Sequence, residues 1–151
     1  MDNARAQEWL RQQLAKIPLV AAMQVEVAAL EQDRLLLRAP LAANVNDKGS
    51  AFGGSLVSLM TLAGWGLASA RVAAAGLAAE VYVADSSVRY LAPLHGPLQA
   101  SAWLEEGSWE EFLATLAQRR RARCRIAARI DLPGGGEATV LSGRFVAIAG
   151  G

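Results

Sequence analysis

The residues best suited to chemistry lie where a polar loop leads into a long apolar segment. Residues 44–50 are rich in loop formers, and Gly53 and Gly54 follow them just before the apolar run. The first backbone amides of a helix lack an internal partner and carry partial positive charge. Because glycine has no Cβ, an oxygen atom can approach such amides closely and place developing negative charge there. The alternative is that both glycines only allow tight packing of the helix.

Asp47 is the carboxylate best placed near this helix start. Attack on a carbonyl carbon needs a water molecule or a carboxylate, and Asp47 could serve in either scheme. It could equally be a loop aspartate that caps a turn. Asn46 could orient a substrate or a water through its amide, or simply tolerate a strained loop backbone. The residues alone leave both pairs of alternatives open.

A second polar group interrupts a β-rich run. Asp85 follows the apolar residues 81–84 and precedes Ser86 and Ser87. A carboxylate within a central strand is costly to bury unless it is paired. Arg89 lies four residues on, so its side chain and that of Asp85 can point to one sheet face. One interpretation is a structural ion pair, and the other is a polar lining for a substrate channel.

Residues 121–130 alternate between basic and apolar side chains, which only a strand separates cleanly into two faces. The basic face carries Arg121, Arg123, Arg125 and Arg129. Guanidinium groups pair well with phosphate, so an anionic ligand is one interpretation, although solvent-facing charge on a strand is commonplace. Cys124 lies on the apolar face, where an inert buried thiol is favoured over a nucleophile.

Several classes of function find no support in the composition. The single histidine, His95, lies in a turn without a cluster of ligands at metal-binding spacing, so no metal site is expected. With 15 basic and 14 acidic residues, the net charge of +1 gives no reason to expect nucleic acid or a membrane surface as partner. One cysteine excludes an intramolecular disulfide, and the amino end lacks an apolar signal core. We therefore expect a cytoplasmic protein.

Hydrophobic periodicity predicts the elements that position these groups. They are an amphipathic helix over residues 2–17 ended by Pro18, strands over 23–29 and 35–38, and a long helix over about 51–75 stopped by Gly76. Then come β-rich runs at 81–90 and 97–105, a short helix at 108–118 capped by Ser108, and strands at 121–130 and 139–148.

The long helix is apolar nearly all round, so it must be covered nearly all round. It is long enough to span a bilayer, but its glycines and serines dilute its hydrophobicity and favour a buried helix. The order of elements predicts an α+β fold, in which an antiparallel sheet of about six strands wraps one central helix. Residues 1–18 add an amino-terminal helix, and 151 residues suggest a single domain over 1–151.

Four stretches carry a resemblance to a known family: residues 46–56 (NDKGSAFGGSL), 62–66 (LAGWG), 85–93 (DSSVRYLAP) and 143–147 (GRFVA). They resemble the YiiD C-terminal-type thioesterases, which are similar to the hotdog acyl-CoA and acyl-carrier-protein thioesterases. The resemblance covers nearly the whole chain after the first helix. It implies the hotdog fold and a homodimer, or a tetramer of two dimers, with active sites at the subunit interface.

The resemblance also implies the activity and its residues. It indicates hydrolysis of acyl-CoA or acyl-carrier-protein thioesters, with coenzyme A or phosphopantetheine as part of the substrate and no separate cofactor. In one hotdog branch an aspartate just before such a loop either attacks the thioester carbonyl carbon itself or activates the water that does so. That gives Asp47 the role of base or nucleophile, with the Gly53 and Gly54 amides holding the oxyanion. Asn46 and Thr61 complete the predicted catalytic set as groups that can orient the thioester or the water. Substrate contacts are expected from Phe52, Ser55, Ser58, Asp85, Ser86, Ser87, Arg121 and Arg123.

The sequence departs from a related pattern at two positions. Many hotdog thioesterases read His-Gly-Gly here and carry an acid further along the helix, where this chain has Phe52 and Thr61. Neither side chain works as a general base, although Thr61 and Ser58 could hydrogen-bond a water. Asp47 or Asp85 is then left to carry the chemistry. A hotdog protein that binds acyl thioesters without cleaving them is the alternative, and a hydratase or dehydratase is less favoured.

Overall fold

The chain is described, in a computed structural model, over residues 1–150 as four helices and six strands. They are α1 (Asn3–Leu14), α2 (Pro18–Met23), β1 (Glu26–Glu31), β2 (Arg34–Ala39), α3 (Gly53–Ala74), β3 (Ala79–Tyr90), β4 (Leu98–Leu104), α4 (Trp109–Arg119), β5 (Arg121–Asp131) and β6 (Glu137–Ala149). The strands form one antiparallel sheet in the order β1-β2-β4-β5-β6-β3. The predicted α+β class with about six antiparallel strands is confirmed.

The sheet curls around α3, which packs against five of the six strands, β2 to β6. Leu59, Met60 and Leu67 of this helix are fully buried. A Cβ added to Gly64 would lie 2.6 Å from Cζ of Phe145 on β6, whose ring is itself fully buried. The helix therefore lies against the sheet at a distance that only glycine allows. This helix wrapped by a sheet is the hotdog arrangement.

Helix α3 is also the one described helix long and apolar enough to cross a membrane by length and composition. In its most apolar window, 61% of the residues are buried inside the fold. The core helix of a folded domain passes the same test, and the coverage of α3 by the sheet agrees with the buried helix that the sequence favours.

The amino-terminal region differs from the prediction. The single helix over residues 2–17 is instead α1 followed by α2, and Pro18 begins α2 rather than ending α1. Proline is well tolerated at the first position of a helix, where its missing N–H needs no partner. Because α2 takes up Met23, the first strand starts only at Glu26.

Two surfaces of the fold remain open. Strand β3 forms one edge of the sheet, opposite the β1 edge, and among the described residues it pairs with β6 alone; its Tyr82 and Val83 are exposed. The sequence predicts that α3 is covered nearly all round, but in the structure a stripe that includes Val57, Thr61 and Trp65 is only half-buried. An unpaired strand edge and a half-covered helix face are where further contacts form.

Candidate active site

The amino end of α3 offers backbone donors that no described residue uses. Phe52 is the N-cap residue, and its side chain makes no capping hydrogen bond. Its amide donates to the carbonyl oxygen of Asn44 over 2.8 Å, but the amides of Gly53, Gly54 and Ser55 find no acceptor in the part of the chain that the structure describes. Such amides carry partial positive charge. This helix end can therefore hold an anionic oxygen.

Two aromatic rings border these amides. A Cβ added to Gly54 would overlap the ring of Phe52, so glycine is what lets this ring lie across the helix start. Tyr90, the last residue of β3, lies against Gly53, and its hydroxyl donates to the Gly53 carbonyl oxygen over 3.4 Å. Both rings are more than half exposed. Tyr90 was not among the predicted site residues, and its only signal was its place in the family-like stretch 85–93.

The loop before α3 is held by the amides of two asparagines. Asn46 Oδ1 accepts hydrogen bonds from the backbone N–H groups of Lys48 (2.8 Å) and Ser50 (3.1 Å), and its Nδ2 donates to Ser50 Oγ over 2.9 Å. Buried Asn44 donates from Nδ2 to the carbonyl oxygens of Met23 and Pro40. These bonds make Asn46 an organiser of the loop, a role that neither predicted alternative included. Its catalytic role stays a prediction.

Asp47 lies at the tip of this loop. Its side chain is 79% exposed, and its partner is the Lys48 ammonium group at 2.9 Å. Within the chain it makes no hydrogen bond to the free amides at the start of α3. The structure thus places a solvated carboxylate near the helix start in sequence, without bringing it into contact with the free amides of α3.

Ser58 and Thr61 lie on the same face of α3 as Gly54, one and two helical turns further on. They line a cavity of about 260 Å³ between α3 and α2. Its other walls are apolar and come from Ile17, Leu19, Val20, Val57 and Leu62. Two hydroxyl groups in an otherwise apolar cavity can orient a water or a carbonyl group. The side chain of Ser55, half-buried in the first turn, lies just before them.

Comparison with known proteins assigns this arrangement to a family. The model of the family described as "Putative thioesterase (yiiD_Cterm)" matches residues 6–149. The chain belongs to this thioesterase family. The similarity that the sequence indicates is therefore confirmed. Phe52, at the position where the resemblance implies a histidine in related enzymes, is exposed at the start of α3, and Thr61, at the position of the implied acid, lines the α2–α3 cavity.

Solved structures share the fold over nearly the whole chain. A protein of unknown function from Chlorobaculum tepidum is 24% identical with a TM-score of 0.92, over 98% of this chain and 97% of that one. A structure described as a putative thioesterase, from Shewanella oneidensis, is 25% identical with a TM-score of 0.87, over 96% and 99%. A thioesterase from Haemophilus influenzae is 18% identical with a TM-score of 0.69, over 91% and 87%. The hotdog fold of the family is thus the fold of this chain.

The β3 residues predicted for the thioesterase site divide between the two faces of the sheet. Asp85 lies on an edge strand rather than a central one, and it pairs with Arg144 directly opposite on β6, not with Arg89. The predicted pair fails because four residues of strand span about 13 Å. Asp85 and Ser87 face away from α3, and Ser86, opposite Gly143, faces the helix side.

The arginines of β5 lie on the outer face as predicted, but away from the amide end of α3. Arg121 and Arg123 are exposed, and Arg121 pairs with Ile148, which in turn pairs with Glu80 at the start of β3. Tyr90, beside the free amides, is at the other end of β3. The register thus separates Arg121 from the amides of the same chain by nearly the length of the strand. The substrate contacts predicted for Arg121 and Arg123 stay predictions.

The cysteine of β5 points inward. Cys124 is 8% exposed, and burial raises the pKa of its thiol to about 12. A thiol with this pKa stays protonated at neutral pH and is a poor nucleophile. The prediction of an inert cysteine is consistent with this environment. Within the described residues, no group of three His, Cys, Asp or Glu side chains could hold a metal ion.

Proposed function

We propose that this chain hydrolyses acyl-CoA or acyl-carrier-protein thioesters at the amino end of α3, as a cytoplasmic homodimer. One observation carries the proposal: the amides of Gly53 and Gly54 have no acceptor, and a largely apolar cavity lies on the same face of α3. A thioester presents the matching groups, because its carbonyl oxygen gains negative charge during attack and its acyl chain needs apolar surface. Membership of a thioesterase family supports this reaction.

In the proposed reaction a water oxygen attacks the thioester carbonyl carbon while the Asp47 carboxylate accepts the water proton. The amides of Gly53 and Gly54 hold the negative carbonyl oxygen of the tetrahedral intermediate. The carbon–sulfur bond then breaks, and the departing sulfur takes up a proton from Asp47. The products are a carboxylic acid and a free thiol. Ser58 and Thr61 orient the water through their hydroxyl groups.

The proposed homodimer supplies what one chain leaves open. The free edge of β3 pairs with β3 of a second copy, and the exposed Tyr82 and Val83 become buried there. The half-buried face of α3 then lies between the two subunits. Asp47, which contacts only Lys48 in one chain, meets the oxyanion donors when both copies and a substrate are present.

The test is thiol release from a panel of acyl-CoA and acyl-carrier-protein thioesters, followed with a chromogenic thiol reagent. The buried Cys124 keeps the background of the folded protein low. We expect turnover by the wild-type protein and at least about a hundredfold loss of kcat in Asp47→Asn, since general acid–base catalysis contributes about 10² to 10⁴. Asp33→Asn is the matched control, because Asp33 is an exposed, ion-paired carboxylate at the β1–β2 turn.

The same assay separates the runner-up function, which is binding of acyl thioesters without cleavage. The observation that favours it is that Ser58 and Thr61 are the only polar side chains in the α2–α3 cavity among the described residues, and neither is a base. Calorimetric binding of acyl-CoA without thiol release establishes the binding protein and rejects the enzyme. Turnover that is equal in Asp47→Asn and the wild type removes Asp47 from the mechanism.

A further inference from the structure

One face of α3 runs past the free amides and carries two cavities in succession. Positions on this face recur at spacings of three or four residues. They are Gly54, Ser58, Thr61, Trp65 and Ser69. The first cavity lies beside residues 57–62 and the second beside residues 65–73. Trp65 lines the second cavity, and it is the next residue on this face after Thr61, which lines the first.

The first cavity begins about one helical turn along α3 from the proposed oxyanion donors. Its volume is about 260 Å³, and apart from Ser58 and Thr61 its walls are apolar. Leu19 of α2 is 55% exposed beside it, which is unusual for a leucine. A slender apolar chain that starts at the amides and follows α3 would cover this surface.

The second cavity is larger and lies further along the same face. Its volume is about 340 Å³, and it is bounded by α1, α3 and the start of β3. Trp9, Val72 and Leu77 contribute apolar walls, and the Ser69 side chain is 7% exposed on its floor. Nothing in the proposed reaction uses this cavity, because it lies beyond Trp65 from the free amides.

The Trp65 side chain is fixed across the open face. Its Nε1 donates a hydrogen bond to the carbonyl oxygen of Val81 over 2.9 Å, so the indole reaches from the helix to strand β3. The ring is half-buried, and Trp65 and Val81 both line the second cavity. An indole held at both ends in this way would block a chain that leaves the first cavity along α3 from entering the second.

We propose that Trp65 sets the length of the acyl chain. This inference rests on the proposed function, because it places the thioester carbonyl at Gly53 and Gly54 and its alkyl chain in the first cavity. The eleven residues from Gly54 to Trp65 span about 16 Å of helix. Contact with the indole takes about 3.5 Å of this length. The remaining 12 Å or so holds about ten carbons, given C–C bonds of about 1.5 Å in a zigzag chain. The preferred substrates are therefore medium-chain acyl thioesters.

The experiment measures kcat/KM for thiol release, and Kd by calorimetry, over straight-chain acyl-CoAs from four to eighteen carbons. For the wild type we expect affinity to rise about fourfold per methylene up to about ten carbons and then to level or fall. Trp65→Ala joins the two cavities, so the rise should continue to about sixteen carbons. Trp103→Ala is the matched control, because Trp103 is half-buried on the outer face of the sheet and packs against Arg34 and Arg129.

A second variant keeps the test independent of removing the tryptophan. Leu62→Trp places an indole one turn earlier in the first cavity, and we expect the limit to shorten to about six carbons. An unchanged length limit in both Trp65→Ala and Leu62→Trp overturns the role of Trp65, even when turnover persists. Shifted limits in Kd with no thiol release at any length uphold the role of Trp65 and reject the hydrolysis. The failures of the two proposals are thus distinguishable.

Discussion

At the scale of single residues, the amide of Gly53 can be removed while the helix that carries it is kept. Gly53 is the first residue of α3, a position where proline is favoured, and Phe52 before it has φ −67° and ψ 131°, which a following proline requires. Gly53→Pro therefore deletes one proposed oxyanion donor with little effect on folding. We expect kcat for thioester hydrolysis to fall about 10² to 10³ fold, the usual effect of losing such a donor.

Gly53→Ala is the control, because it keeps the N–H group and adds a Cβ that would lie 3.5 Å from the Tyr90 ring, an ordinary contact. We expect its kcat to be close to that of the wild type, with both variants showing unchanged circular dichroism. Equal kcat values for the proline and alanine variants would assign the oxyanion to other donors. In that case the free amides of Gly54 and Ser55 are the next to test.

The roles proposed for single residues were less predictable from sequence than the elements that carry them. The free amides follow from the helix start at Gly53, which the loop and the glycine pair indicate locally. The ion-pair partner of Asp85 cannot be predicted locally, because it depends on how β3 lies beside β6. A register shift between Val83 and Asp85 sets Asp85 opposite Arg144, and no local pattern encodes such a shift.

At the scale of elements, strict periodicity was a good guide, whereas the residues that mark helix ends succeeded in one case and failed in another. The alternation of residues 121–130 predicted β5 within one residue at its carboxyl end, and Ser108 caps α4 as expected by accepting a hydrogen bond from the Glu111 amide. Pro18 misled because proline both ends helices and begins them. What decided between the two was the burial of Val20 and Met23 in the core, which is a tertiary effect.

The contact between α3 and β6 gives a prediction at this scale. Alanine is a better helix former than glycine by about 1 kcal/mol, so propensity alone favours Gly64→Ala. The added Cβ would lie 2.6 Å from Cζ of the buried Phe145 ring, and overpacking of this kind costs about 1–3 kcal/mol. We expect a net loss of up to about 2 kcal/mol in the free energy of unfolding, measured by urea denaturation.

Phe145→Leu in the same background provides the matched test. The smaller side chain leaves room for the new Cβ, so the double variant should lose less stability than the sum of the two single variants. Additive losses would mean that α3 moves away from β6 rather than pressing on the ring. A Gly64→Ala protein more stable than the wild type by about 1 kcal/mol, the gain from helix propensity alone, would contradict the close approach itself.

At the scale of the whole molecule, the open edge of the sheet and the open face of α3 lie on the same side. Trp65 links them, since its indole joins α3 to Val81 on β3. A second copy paired along β3 would therefore both extend the sheet and cover the helix face that bears the proposed site. In that arrangement assembly and the proposed catalysis would be coupled, because the same surfaces would serve both.

The coupling is testable by placing a charge at the edge. Val83 is 44% exposed on β3, and Val83→Glu would bury an unpaired carboxylate between two copies, which is strongly unfavourable. We expect a monomer in sedimentation experiments, with thioester turnover reduced in proportion to the loss of dimer. Val140→Glu is the control, because Val140 lies on inner strand β6 between Arg89 and Arg129, which compensate the charge. A Val83→Glu protein that stays dimeric would move the subunit contact away from β3, and a fully active monomer would place the whole site within one chain.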